Sequence, residues 1–325
     1  MERPLYTLGT TDIEISPIGL GCWQFSGGTG LAGFYWKAID QDVVNRIVAA
    51  AIEGGMNWFD TAEAYGKGRS EAALSTALQA AGVGQEAIIA TKWFPILRFA
   101  GNIRKTFPDR LRHLAPYPVT LHQIHNPGSF SSIERQIDEM AALAGSGSIR
   151  AVGVSNFNAT RMREAHEALE RRGLRLASNQ MRYSLLDRRI ETNGVLEAAQ
   201  ELGVTIIAYS PLEQGILTGK FHESEEARAG LSGPRKYLSQ FKSSGLERTT
   251  PLIDALRRVA ERHDATPAQV ALAWVTQRHG TSVVAIPGAS SVKQAESNAR
   301  AMSLRLAAEE LDDLADTASR VAAKS

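Results

Sequence analysis

Residues 57–66 read NWFDTAEAYG, residues 70–81 read SEAALSTALQAA, and residues 87–92 read AIIATK. An apolar strand ends in Asp60, a polar loop carries Tyr65, an Ala- and Leu-rich helix opens on a candidate serine cap at Ser70, and a second strand ends in Lys92. The same alternation runs outward in both directions. Strand-like runs fall at Ile18–Gly21, Asn57–Thr61, Ala87–Lys92, Val119–His125, Ala151–Ser155, Leu176–Gln180, Thr205–Ser210 and Val283–Pro287. Helical patterns lie between them at Val43–Glu53, Ser70–Ala81, Asn102–Leu114, Ile133–Ala144, Ala159–Arg171, Gly194–Leu202, Leu252–His263 and Ala268–Arg278. Strand–helix alternation at this spacing is the pattern of βαβ units and a parallel sheet.

A parallel sheet is either open and doubly wound or closed into a barrel. No G-x-G-x-x-G follows an early strand, as an open dinucleotide-binding sheet would require. Polar residues instead end many different strands: Asp60, Lys92, His125, Ser155-Asn156, Gln180 and Ser210. A barrel assembles its site from several strand ends at one face. The reading is therefore α/β, a (β/α)₈ TIM barrel over 1–325 as one domain, with no linker. Leu5–Leu8 and Ile13–Ile15 form an N-terminal β-hairpin around a turn at Gly9–Asp12, and the tail after Leu306 forms a C-terminal helix. The longest irregular segment is Glu213–Thr250, a length that marks a functional or mobile loop.

Composition narrows the function. The 36 Lys and Arg balance 35 Asp and Glu, which disfavours a nucleic-acid partner. Apolar runs all fall short of the roughly 20 residues of a membrane helix, and the first residues resemble neither a signal nor a transit peptide. The lone Cys22 excludes an internal disulfide and fits a reducing, cytoplasmic compartment. No His, Cys or Asp cluster has metal-ligand spacing, so no metal is expected.

Side chains alternate across a strand, so Trp58 and Asp60 share a face, as do Ala90 and Lys92, and Gln123 and His125. If those faces point inward, Asp60, Lys92 and His125 converge at the barrel mouth beside Tyr65. Such a group suits carbonyl reduction, in which hydride reaches carbon and the oxygen needs a proton. A buried Lys92 beside Tyr65 lowers the phenol pKa, Asp60 keeps the lysine charged, and His125 donates a hydrogen bond to the developing oxyanion. Singly, each residue has a bland explanation: a loop cap at Asp60, packing at Tyr65, a strand-end lysine, a core histidine. Four ordered contexts together outweigh it.

Those contexts, FDTAEAYG, ATKW and LHQIHNP, resemble the aldo-keto reductase superfamily, in its bacterial-type or potassium-channel β-subunit-like branch. VGVSNF, SNQMRYSLLDR, AYSPLEQGILTGK and IPGASSVKQAESN match in the family's order across nearly the whole chain. The resemblance implies Asp60, Tyr65, Lys92 and His125 as the catalytic tetrad and NADP(H) as cofactor, with NAD(H) the alternative. It places Ser155, Asn156 and Gln180 on the nicotinamide carboxamide and Tyr209 against the ring. Ser210, Pro211, Leu212, Gln214, Gly215, Leu217 and Lys220 follow the pyrophosphate, and Gly288, Ser290, Gln294 and Asn298 hold the adenosine end. The implied activity is reduction of a small-molecule aldehyde or ketone to an alcohol. A nucleotide-binding redox sensor and an NAD-linked sugar dehydrogenase are the alternatives.

The sequence departs from the family before His125, where an Asp-bearing strand is replaced by Tyr117–Leu121, and in the helix 102–114, which carries Pro108. Gln294 stands where arginine often grips the 2′-phosphate, leaving Lys293, Lys220, Arg235 and Lys236 to supply charge. Trp23 either lines the nicotinamide and substrate pocket or packs at its rim. Phe34, Tyr35 and Trp36 either wall the pocket or anchor a loop. His113, His166, His222, His263 and His279 read as solvated, and Cys22 as packing.

Overall fold

A computed structural model describes residues 4–28, 37–231 and 233–323. The expected pocket wall at Phe34, Tyr35 and Trp36 lies outside these residues. Strands β1 (Tyr6–Thr7) and β2 (Glu14–Ile15) pair antiparallel as the N-terminal hairpin. Eight parallel strands follow: β3 (Leu20–Gly21), β4 (Trp58–Asp60), β5 (Ile88–Trp93), β6 (Val119–Ile124), β7 (Ile149–Ser155), β8 (Leu176–Arg182), β9 (Thr205–Tyr209) and β10 (Val283–Ala285). Each pairs with the next in chain order. The ring closes between β10 and the first strand, where Gly19 N donates to Ala285 O at 2.9 Å, Ala285 N to Pro17 O at 2.9 Å and Gly21 N to Pro287 O at 3.1 Å.

Helices α1 (Gln41–Glu53), α2 (Arg69–Ala80), α3 (Asn102–Leu114), α4 (Ile133–Gly145), α5 (Ala159–Glu170) and α6 (Val195–Leu202) alternate with the strands. Their apolar faces recur at helical spacing: α1 buries Val44, Ile47, Val48 and Ala51. The main core lies between sheet and helices. A second, smaller core fills the barrel itself, where Leu8, Ile13 and Ile15 of the hairpin meet Trp58, Ala90, Leu121, Ala177, Ile207 and Val284. The hairpin therefore plugs the end away from the strand C-termini. Trp58 forms the floor under the site. Its indole N–H donates to Ser16 O at 2.9 Å, and a Cβ at Gly19 would lie 2.3 Å from its ring.

Three sequence expectations need correction. Ser70 is not a cap, since α2 starts at Arg69 after Gly68; its hydroxyl donates to Cys22 O at 2.7 Å and pairs with Thr61 Oγ1 at 2.9 Å. Residues 213–250 are not one irregular loop. They hold short 3₁₀ turns, α7 (Lys220–Glu223), α8 (Glu225–Ala229) and the start of α9 (Ser243–Arg262). α9 begins ahead of the expected start at Leu252 and runs through Pro251, and the Thr249 and Thr250 hydroxyls donate to the Gly245 and Leu246 carbonyls beside it. The five outlying histidines are not simply solvated. His166 is buried, and His113, His222, His263 and His279 approach Glu71, Thr249, Glu310 and Tyr183 at 3.3, 2.9, 2.8 and 2.9 Å. The chain ends in α10 (Pro267–Gln277), α11 (Val292–Arg300) and α12 (Ala308–Ala322). Among the described residues no helix is long and apolar enough to cross a membrane.

Candidate active site

β4 ends on Asp60 with its side chain inside the barrel, two residues beyond Trp58, and β5 delivers Lys92 two residues beyond Ala90. The Lys92 ammonium donates to Asp60 Oδ1 at 2.5 Å, to Thr61 O at 2.8 Å and to the Tyr65 hydroxyl at 3.4 Å. The other Asp60 oxygen accepts from Gln180 Nε2 at 2.8 Å and Gln123 Nε2 at 3.2 Å. One buried carboxylate is thus saturated by an ammonium and two amides, as a charge removed from water must be. Tyr65 stacks on Trp23 at 6.1 Å between ring centroids and meets the edge of His125 at 5.8 Å; Phe94 meets His125 from another side at 5.8 Å. The tetrad residues expected from sequence therefore share one place.

Their electrostatics differ from the sequence expectation at one point. Burial raises the Tyr65 pKa above its ordinary value; Lys92 works against this and Asp60 adds to it. Lys92 does not win, so the phenol stays protonated at neutral pH. Burial would depress Lys92, yet Asp60 and Tyr65 more than offset that and hold it above its ordinary value. His125 is pushed down to about 3 by burial and then by Lys92, so it is a neutral imidazole. Its Nδ1 is buried without a hydrogen-bond partner among the described residues. Burial, then Asp60, keeps the Cys22 thiol far above its ordinary pKa, which makes it an inert packing residue.

The Tyr65 loop is held from below by buried ion pairs that sequence reasoning missed. Glu63 accepts from Phe94 N at 2.6 Å, Arg98 at 2.5 Å and Arg110 at 2.6 Å. Glu71, fully buried on α2, accepts from Thr91 Oγ1 at 2.6 Å and forms an ion pair with Arg110, whose Nε lies 2.8 Å from Glu71 Oε2. Arg110 of α3 therefore clamps two carboxylates that flank Tyr65 in the chain. The only sequence signal was an acidic residue inside a tetrad context; its partners lie 31 to 47 residues away.

The tetrad opens into a cavity of about 1490 Å³, larger than a drug-sized pocket. One wing runs under the C-terminal ends of β7 to β10. Asn156, with left-handed backbone (φ 61°), accepts from the Tyr209 hydroxyl at 3.0 Å and donates to Ser155 Oγ at 3.0 Å and His125 O at 3.3 Å. Beyond it the cavity meets Ser210, Pro211, Leu212, Gln214, Gly215 and Lys220, then Gly288, Ser290, Gln294 and Asn298. Leu217 is the exception: it is buried in the core and does not line the cavity. The 210–215 loop carries left-handed residues at Ser210, Glu213, Gln214 and Gly215, a backbone form that turns N–H groups toward an anion. Buried Glu213 anchors it through Arg182 and Ser184.

This wing suits a dinucleotide. Lys220, Arg235 and Lys293 line it, the described residues give it no carboxylate, and the buried Gln24 and Gln214 Oε1 atoms have no partner there. Burial and Arg235 depress the Lys220 pKa, the mark of neighbouring cations without an anion. A Cβ at Gly288 would fall 2.2 Å from the Gln24 amide. Arg235 and Lys293 line the wing, and the sequence names them only among several cations; Thr266, the N-cap of α10, and Ser297 of α11 join them.

The sequence model of the Aldo/keto reductase family matches residues 17–318. An uncharacterized oxidoreductase of Mycobacterium tuberculosis is 40% identical over 306 residues, covering 94% of this chain and 90% of that protein. The chloroplastic pyridoxal reductase of Arabidopsis thaliana is 32% identical over 311 residues, covering 92% and 82%. A glycerol dehydrogenase from Gluconobacter oxydans has a similar structure, with a TM-score of 0.83 at 29% identity over 98% of this chain and 96% of that one. The barrel, its site and these matches together place the chain in the aldo/keto reductase family, as an oxidoreductase that uses a nicotinamide cofactor.

Proposed function

We propose that this chain is an NADP(H)-dependent reductase of aldehydes and ketones with Tyr65 as the proton donor. The carrying observation is a protonated phenol 3.4 Å from a charged, buried Lys92 at the head of a cation-lined cavity. A bound nicotinamide supplies the hydride. Tyr65 then gives its hydroxyl proton to the carbonyl oxygen as negative charge develops there. Lys92 stabilises the phenolate left behind, and Asp60 keeps Lys92 charged in a site that excludes water. Neutral His125 donates a hydrogen bond that orients the carbonyl. Trp23 and Phe94 supply apolar walls.

Among the described residues, three cations and no acid along the cofactor wing support NADP(H) over NAD(H), because a carboxylate would suit a free ribose 2′-hydroxyl and repel a phosphate there. Gln294, in the slot where the family often has arginine, accepts from Ser290 N at 2.7 Å and its hydroxyl at 3.0 Å. Lys293 beside it lines the same wing, and we assign it to the 2′-phosphate. The relatives named a pyridoxal reductase and a glycerol dehydrogenase work on a carbonyl and an alcohol, which is consistent with this reading. The raised Tyr65 pKa favours the reductive direction near neutrality.

Purified protein is expected to oxidise NADPH when 4-nitrobenzaldehyde is added, with NADH poorer by tenfold or more. Lys293→Ala should weaken NADPH binding about tenfold and leave NADH binding alone. Absence of turnover with both cofactors across aldehydes, ketones and sugars would sink the reading.

A further inference from the structure

The cavity has a second wing that the cofactor does not need. It runs past Tyr65 and Phe94 and is lined by Glu63, Lys67, Arg98, His113 and the ion pair of Asp109 with Arg112. Three features there belong together. Lys67 follows Tyr65 by two residues, and it sits between Gly66 and Gly68 in a run of three left-handed residues (φ 66°, 57° and 89°). A lysine in that region is strained, whereas its glycine neighbours are not. Gly66 and Gly68 have no room for a side chain, since a Cβ would lie 2.3 Å from Ser26 O and 2.2 Å from the His113 ring. The Lys67 ammonium is exposed and makes no ion pair among the described residues. Arg98, four residues beyond Phe94, has a side chain 37% exposed, and a single N–H donates to Glu63 at 2.5 Å. A guanidinium has five donors; the others of Arg98 meet no acceptor among the described residues, and Glu63 fixes the fork in place. The acid that holds Arg98 is itself shared with Arg110.

We infer that Lys67 and Arg98 form an anion-recognising rim, and that the substrate is a carbonyl compound bearing a carboxylate or phosphate at the end away from the carbonyl. This rests on the reductase reading above. A guanidinium fork held by Glu63 in the cavity that Phe94 also lines matches a planar carboxylate, and an exposed lysine adds a point charge that serves either anion. The carbonyl end of such a molecule lies toward Tyr65 and His125, so the anion selects the substrate and also sets its orientation.

The test compares matched aldehydes: 4-formylbenzoate against its methyl ester, and 4-formylphenyl phosphate against 4-methoxybenzaldehyde. Native enzyme should prefer the charged member of at least one pair by tenfold or more in kcat/KM, through KM. The pair that shows the preference identifies the anion. Lys67→Ala and Arg98→Leu should each reduce that preference at least threefold, and Arg98→Lys should restore part of it. Calorimetric binding of 4-formylbenzoate and 4-formylphenyl phosphate is measured alongside. Equal or lower rates for both charged aldehydes, or a preference that survives both substitutions, overturns the proposal. Binding that the substitutions abolish, in a protein that reduces none of the four, condemns the reductase reading and keeps the anion rim.

Discussion

Lys92 Nζ lies 2.5 Å from Asp60 Oδ1, and neither side chain has more than 2% of its surface exposed. A buried ion pair is weak grounds for stability in itself, but breaking one strands a charge. Asp60→Asn should therefore destabilise the fold by about 3–5 kcal/mol, and Lys92→Met should do the same while removing turnover. Chemical denaturation of the two variants reads the first effect. Two variants as stable as the parent would mean the pair is not desolvated in solution.

Tyr65→Phe keeps the ring that stacks on Trp23 and removes only the proton. Turnover should fall by roughly 10²–10⁴, the usual contribution of a positioned acid, with the NADPH dissociation constant within a few-fold of the parent. Parental turnover in this variant would assign the proton to another group.

The raised Tyr65 pKa fixes the direction of a pH effect. The acid form persists through neutrality, so reduction should be flat from pH 6 to 9 and fall only above pH 10, the ordinary phenol value. Alcohol oxidation needs the phenolate and should rise over the same range. A reductive rate that halves between pH 6 and 8 contradicts this assignment.

Arg110 stands between Glu63 and Glu71, all three buried. Arg110→Met leaves two carboxylates short of a partner beside the Tyr65 loop. A loss of about 3–5 kcal/mol is expected, and turnover should drop in the fraction that stays folded. Replacing Glu71 by Gln in the Arg110→Met background should recover part of the stability; no recovery would show that the ion pairs are not coupled.

His122 points out of the barrel against Phe107 at 5.2 Å and is 1% exposed. Burial and then Arg110 push its pKa down to about 3. The folded value lies below the unfolded one, so the unfolded chain takes the proton first as pH falls from about 6.5. Stability from this group is fully present above that and is lost toward pH 3; between pH 6.5 and 4 the loss is roughly 3 kcal/mol. Unfolding free energies at the two pH values, native against His122→Gln, read the difference directly. An equal slope in both removes His122 from the account.

Much of the architecture was legible because its signals are local. Period-two alternation put Asp60 on the face of Trp58 and Lys92 on that of Ala90, and the structure places those faces inside the barrel. Strand ends carried the polar residues, and helix 102–114 was bounded as it is found despite Pro108. The failures share a cause. Ser70 and the outlying histidines were read from their neighbours in the chain, while their roles come from atoms tens of residues away.

The sequence by itself determined the order of strands and helices and the residue types that meet at the strand ends, since both follow from periodicity and chain connectivity. Only the tertiary structure decided that Gln123 and Gln180 share the Asp60 carboxylate and that Glu63 and Glu71 are clamped by one arginine. It also decided that burial outweighs Lys92 at the Tyr65 hydroxyl. Desolvation and charge pairing depend on which faces close against each other, and a linear chain specifies each face without naming its partner.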